Sequence, residues 1–111
     1  MGGVNIFCGS FHGEDKSATA FETVLEEAVA HSGNADAKEV LAGIMESLER
    51  ANDHILIWPR EARTLLPTLR AYRDRISVDA DEHDPRLYCV VDFVKACETA
   101  DVEVEPVAIV W

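Results

Sequence analysis

Positive charge is scarce in this chain. Ten Lys and Arg stand against twenty-one Asp and Glu, a formal net charge of -11. Phosphate backbones would be repelled by such a surface, which excludes direct nucleic-acid binding as the primary function. Long apolar runs are also missing, although 48% of the residues are hydrophobic. A membrane helix needs roughly 20 apolar residues in a row, so no transmembrane segment is expected. The N-terminus, Met1 to Asn5, has no basic stretch followed by a long apolar one, so no secretory leader is expected. Phe7 sits near where a myristoylation motif wants Ser or Thr, which argues against lipidation of Gly2. Cysteine is sparse and odd in number, with three residues. That fits reduced thiols in a cytoplasmic protein rather than a disulfide framework. Cys8 lies in an apolar run and Cys97 on the apolar stripe of a helix, so both read as small core residues.

Metal and cofactor signatures are absent as well. No Cys-x-x-Cys or His-x-x-x-His pair occurs, and Cys8 with His12 is the nearest approach to one. A structural zinc site needs four convergent ligands. Asp79, Asp81, Glu82 and Asp84 lack the turn glycine and the distal glutamate of a calcium loop, so they read as a solvated acidic loop. Gly9 to Ser17 resembles a phosphate-binding loop in outline, but Lys16 does not directly follow the second glycine. Glu14 and Asp15 would also repel a phosphate. The plain reading is a polar strand-to-helix loop, with no cofactor and no metal.

What is present is a set of alternating elements. Three runs read as strands: Val4 to Cys8, His54 to Trp58 and Val107 to Trp111. Each is nearly continuous in apolar character, as in strands buried on both faces of a parallel sheet. Pro106 has no N–H to give and fits just before the third. Between the first two lie two amphipathic helices. One carries Ala20, Phe21, Val24, Leu25, Ala28 and Val29 as a single stripe, with Thr19 and Glu22 as a capping box. Ser32, Gly33 and Asn34 end it. The next begins at Asp36, capped with Glu39. It turns Val40, Leu41, Ile44, Met45 and Leu48 to one side and Lys38, Glu39, Glu46 and Glu49 to the other. A third helix carries Leu65, Leu66, Leu69, Tyr72 and Ile76. Pro67 should lie in its first turn or kink it, which makes residues 59–64 a separate turn. A polar link, Ser77 to His83, leads to Asp84-Pro85, a helix start with an N-cap and a proline at the first position. Leu87, Val90, Val91, Val94 and Cys97 follow as the last stripe, widened by Tyr88 and Phe93.

The expected fold is therefore α/β. It is one compact domain over residues 1–111, with a three-stranded, mostly parallel sheet in β-α-α-β-α-α-β order and helices packed on it. Charge is unevenly spread along it. Residues 1–53 carry ten acids and three bases, and residues 76–105 carry nine and two, each a net of -7. Between them, Arg60, Arg63, Arg70, Arg73 and Arg75 make residues 60–75 net positive, either as internal charge balance or as an interface.

In a parallel sheet the strand C-termini would share one edge, carrying Cys8, Gly9, His12, Trp58 and Trp111. Cys8 and His12 there could make an activated thiol. No third orienting group is evident, and ordinary packing explains the tryptophans, so an enzyme is not the favoured reading.

Gly33-Asn34-Ala35-Asp36-Ala37, His54-Ile55-Leu56-Ile57-Trp58, and Val91 to Cys97 leading into Val107 to Val110 resemble segments of the barstar-family ribonuclease inhibitors. The likeness lies in the element order, in the acidity and in an Asn-Asp-Ala start to the second helix. It implies a barstar-like fold and an inhibitor whose second helix inserts carboxylates into a nuclease's phosphate-binding cleft. Carried over by position, Asp36 is the matching residue, with Glu39 on the same exposed side. The expectation is an acidic inhibitor or antitoxin-like immunity protein. It would be cytoplasmic, a monomer or one half of a 1:1 heterocomplex, and would block a basic, nucleic-acid-processing protein through Asn34, Asp36, Glu39, Glu46 and Glu49. The alternatives are a phage-type or decoy inhibitor of another nucleic-acid machine, and a small ligand-binding or thiol enzyme at the strand edge.

Overall fold

A computed structural model describes residues 3–50, 53–79, 81 and 83–111. Gly2, and the Ala80 and Glu82 positions of the expected acidic link, lie outside the described residues. Among the described residues the elements are β1 (Asn5–Cys8), β2 (Phe11–His12), α1 (Ala18–His31), α2 (Ala35–Glu49), β3 (His54–Ile57), α3 (Pro59–Asp79), α4 (Pro85–Glu103) and β4 (Val107–Val110).

The sheet corrects the expected one. It has four strands in the order β2-β1-β4-β3, and every neighbouring pair is antiparallel. Chain direction explains this. The ion pairs Arg63–Asp101 and Arg70–Glu98 join α3 to α4 in opposite sequence order, so the two helices are antiparallel. A strand followed by two antiparallel helices returns to the sheet running the other way, and β4 enters between β1 and β3 in that sense. Val104, in the left-handed region at φ 56°, caps α4 and turns the chain toward it. The fourth strand, β2, lies in what reads as a polar loop. Gly9, with φ 51°, supplies the left-handed residue that lets Gly9-Ser10 turn β1 back into β2.

One face of the sheet is buried and the other is open. Ile6, Cys8, Ile57, Val107 and Ile109 point inward into a core with Phe21, Leu25, Leu41, Leu65, Leu69 and Phe93. On the outer face, Leu56 and Val110 are exposed. The strands are apolar on both sides, yet helices cover only one. Helix α4 touches α1, α3 and three strands, which is why its buried arc is broad, running from Ala96 and Cys89 round to Val90 and Val94.

Two of the three N-caps differ from their expected positions, and the third, Asp84, stands where expected. Ser17, not Thr19, caps α1, its hydroxyl accepting from the Ala20 N–H. Asn34, not Asp36, caps α2, accepting from the Asp36 and Ala37 N–H groups. Asp84 caps α4 with Pro85 at its first position. Helix α3 runs unbroken from Pro59 through Pro67, so residues 59–64 are its first turns rather than a separate turn. Pro67 is exposed, where water can take the carbonyl that proline leaves without a donor.

A polar cluster ties α1, α3 and α4 together. Glu27 accepts from the Tyr72 hydroxyl and from Arg86, which also bonds Asp84. The hydrogen bond from Tyr72, aided by Arg86, holds the Glu27 carboxyl below its ordinary range despite some desolvation. Arg86 does the same for Asp84. Both folded pKa values are depressed. Their contribution to stability is therefore complete above the unfolded carboxylate values of about 4 and is lost as pH falls through the folded ones. Urea midpoints should drop below about pH 4, and Glu27→Gln should flatten that acid limb; an unaltered limb would remove Glu27 from this account.

Candidate functional site

Helix α2 builds one wall of an open cleft. Its inward side carries Ala37, Leu41 and Ile44, all buried. Asp36, Glu39, Val40 and Gly43, spaced i, i+3, i+4 and i+7, form a neighbouring stripe. This stripe, the chain from Ile55 to Ile57, and Arg60, Glu61 and Thr64 of α3 line a cavity of about 580 Å³. The lining thus holds three carboxylates and one guanidinium around a partly apolar floor. Glu61 is already engaged: it accepts from the Trp58 N–H at 3.0 Å, closing the start of α3. Trp58 is 57% exposed and Leu56 42% exposed.

The five expected contact residues do not share one face. Asp36 and Glu39 line the cleft together. Asn34 spends its side-chain oxygen on the helix cap. Glu46 is ion-paired with Arg50 one turn along. Glu49 lies around the helix on the α1 side, grouped with Glu22 and Glu26 beside Met45 and Leu48. The rotation of about 100° per residue explains the split, since Asp36 and Glu49 differ by thirteen positions and end some 140° apart.

Several cleft residues escape sequence reasoning. Ile55 and Leu56 read as a doubly buried strand, and Arg60 and Thr64 as a turn. Gly43 carried a usable signal. A glycine inside a helix costs about 1 kcal/mol relative to alanine, and nothing lies within 4 Å of a Cβ built there. No internal packing requires it, and it faces the cleft.

Charge pairing elsewhere sharpens the site. Arg63 and Arg70 of the basic segment bond Asp101 and Glu98, Arg86 bonds Glu27 and Asp84, and Lys16 bonds Asp92. Among the described residues no cation pairs with Asp36 or Glu39.

The expected strand-end edge does not form. Because β4 is antiparallel, Trp111 lies at the start of β3, its N–H donating to the Asp53 carbonyl at 3.0 Å. Cys8 pairs with Phe11 and His12 with Phe7 in the register of β1 and β2. Adjacent residues alternate faces, so Cys8 points into the core while His12 stands on the outer side, its ring edge-on to Phe7. Burial, with Glu103 and Glu105 nearby, pushes the Cys8 thiol up. Burial pushes Cys89 up to about 12 and also raises Cys97. None of these thiols is poised as a nucleophile. Among the described residues no three His, Cys, Asp or Glu side chains gather as metal ligands, and no helix is long and apolar enough to cross a membrane.

Fold and site together define an α/β protein with an antiparallel four-stranded sheet, helices on one face and an acidic cleft beside an edge strand. Comparison with protein-family models, with curated proteins and with solved structures finds no match.

Proposed function

We propose that this protein is an acidic inhibitor, immunity- or antitoxin-like, that binds and blocks a basic, nucleic-acid-processing protein. The observation that carries the reading is the pair Asp36 and Glu39. Among the described residues they have no cation partner, and they stand on the wall of an open cleft, while Glu46 of the same helix is paired with Arg50. An unmatched anionic wall beside exposed Leu56 and Trp58 offers both parts of a protein interface, an electrostatic guide and apolar area to bury. The overall charge of -11 reinforces attraction over longer range.

Affinity capture from the native cell is expected to retain a basic protein that cleaves or processes nucleic acid, and adding this chain should stop that activity. Asp36→Ala with Glu39→Ala should slow association about tenfold at low salt and flatten its salt dependence. Association unchanged in rate and in salt response would dismiss the acidic wall as the binding face.

A further inference from the structure

Among the described residues strand β3 is an edge of the sheet, hydrogen-bonded to β4 on one side and to no strand on the other. The Trp111 N–H bond to the Asp53 carbonyl sets the phase of the ladder. With His54 opposite Val110 and Leu56 opposite Ala108, Ile55 and Ile57 exchange their backbone bonds with β4. The N–H and C=O groups of His54 and Leu56 then turn the other way. The next outward N–H, that of Trp58, is taken by Glu61. The open edge is therefore the short stretch from His54 to Leu56. It runs into the cleft that Asp36 and Glu39 wall.

The cleft is asymmetric across that edge. Helix α2 shares the core with the inward side of the sheet, so its carboxylates stand on the inward side of any chain laid along β3. The outward side continues the exposed surface of Leu56. Successive side chains of an extended strand point to opposite faces. An occupant in register with β3 would thus send alternate side chains toward Asp36 and Glu39 and the others beside Leu56. Gly43 leaves open space on the α2 wall where that backbone would pass.

We propose that the cleft takes an extended segment of the basic partner as an added strand on β3, paired with the backbone of His54 and Leu56. Its side chains alternate between basic residues facing Asp36 and Glu39 and apolar residues beside Leu56. This rests on the cleft being the acidic partner site and adds the backbone geometry and residue pattern of what enters it.

The test uses an end-capped peptide of alternating lysine and valine. Beside it run the same peptide N-methylated at every second amide, in either phase, and a glutamate–valine counterpart. Each is titrated into the whole chain with NMR shifts and amide exchange as readouts. The lysine peptide is expected to bind and to slow exchange of the His54 and Leu56 amides about tenfold or more. One N-methylated phase should bind roughly tenfold more weakly, because it cannot form the ladder. Gly43→Leu fills open space and should keep the fold while losing about tenfold in affinity. Should Gly43→Leu melt well below the parent, Asp36→Lys with Glu39→Lys replaces it, with the same loss expected. Equal binding by both N-methylated phases, or no binding by any peptide, overturns strand addition and leaves the acidic wall standing. Equal binding by the glutamate peptide overturns the acidic wall itself.

Discussion

Asp92→Ala is expected to destabilise the protein by about 3–5 kcal/mol. Lys16 is only 3% exposed, and its ammonium has a single carboxylate partner, Asp92. It also donates to the Glu14 carbonyl and sits 4.6 Å from the centre of the Tyr88 ring. Removing the carboxylate would leave a buried cation with one carbonyl and an aromatic face, too little to replace water. The loss reaches further than the pair. Asp92 also accepts from the Glu14 N–H, and the Lys16 backbone pairs with Val4, so the segment leading into α1 is held to α4 by this residue. Lys16→Met should cost less, because it removes the charge, keeps the apolar stem and leaves a carboxylate that reaches solvent. Lys16→Met with Asp92→Leu should recover most of the Asp92→Ala loss. Urea unfolding of the four proteins gives the comparison. A loss below about 1 kcal/mol for Asp92→Ala would mean that the ammonium finds water instead.

Phe93→Ala should cost about as much, 3–5 kcal/mol, through a different cause. Phe93 is fully buried and its ring meets Phe21 at 5.8 Å between centroids. The two rings join α4 to α1 above the sheet, so truncation opens a cavity that neither helix can close without moving the other. Phe93→Leu should cost clearly less, because it keeps most of the volume. With total stabilities of such domains commonly about 5–15 kcal/mol, Phe93→Ala should lower the thermal midpoint by tens of degrees or abolish folding. A shift of only a few degrees would mean that the core relaxes around the gap.

The helices were legible because their signals are local. The stripe from Ala20 to Val29 and the run from Leu87 to Cys97 repeat at the period of a helix, and Asp84-Pro85 marks a start by stereochemistry alone. The caps at Ser17 and Asn34 were displaced because several polar residues near each start can accept from the first N–H groups, and packing chooses among them. The strands were legible as strands but not in their pairing. An apolar run such as Val107 to Val110 reads the same whether both its faces are buried or one is left bare.

The site divides along the same line. Asp36 and Glu39 stood out through the resemblance carried over by position, Asp36 as the matching residue and Glu39 on the same exposed side. Glu46 and Glu49 share that helix but not the cleft, because Arg50 neutralises one and helical rotation carries the other toward α1. Leu56, Arg60 and Gly43 join the site only when β3 lies at the sheet edge beside α2.

The sequence by itself determined the charge excess, the four helices and three of the strands, since each rests on composition or on short-range period. Only the tertiary structure decided that β4 enters antiparallel between β1 and β3, that β3 is left as an open edge, and that Cys8 and His12 face apart. Those outcomes depend on which distant segments meet, and burial, chain direction and charge pairing across the fold choose among arrangements that look alike along the chain.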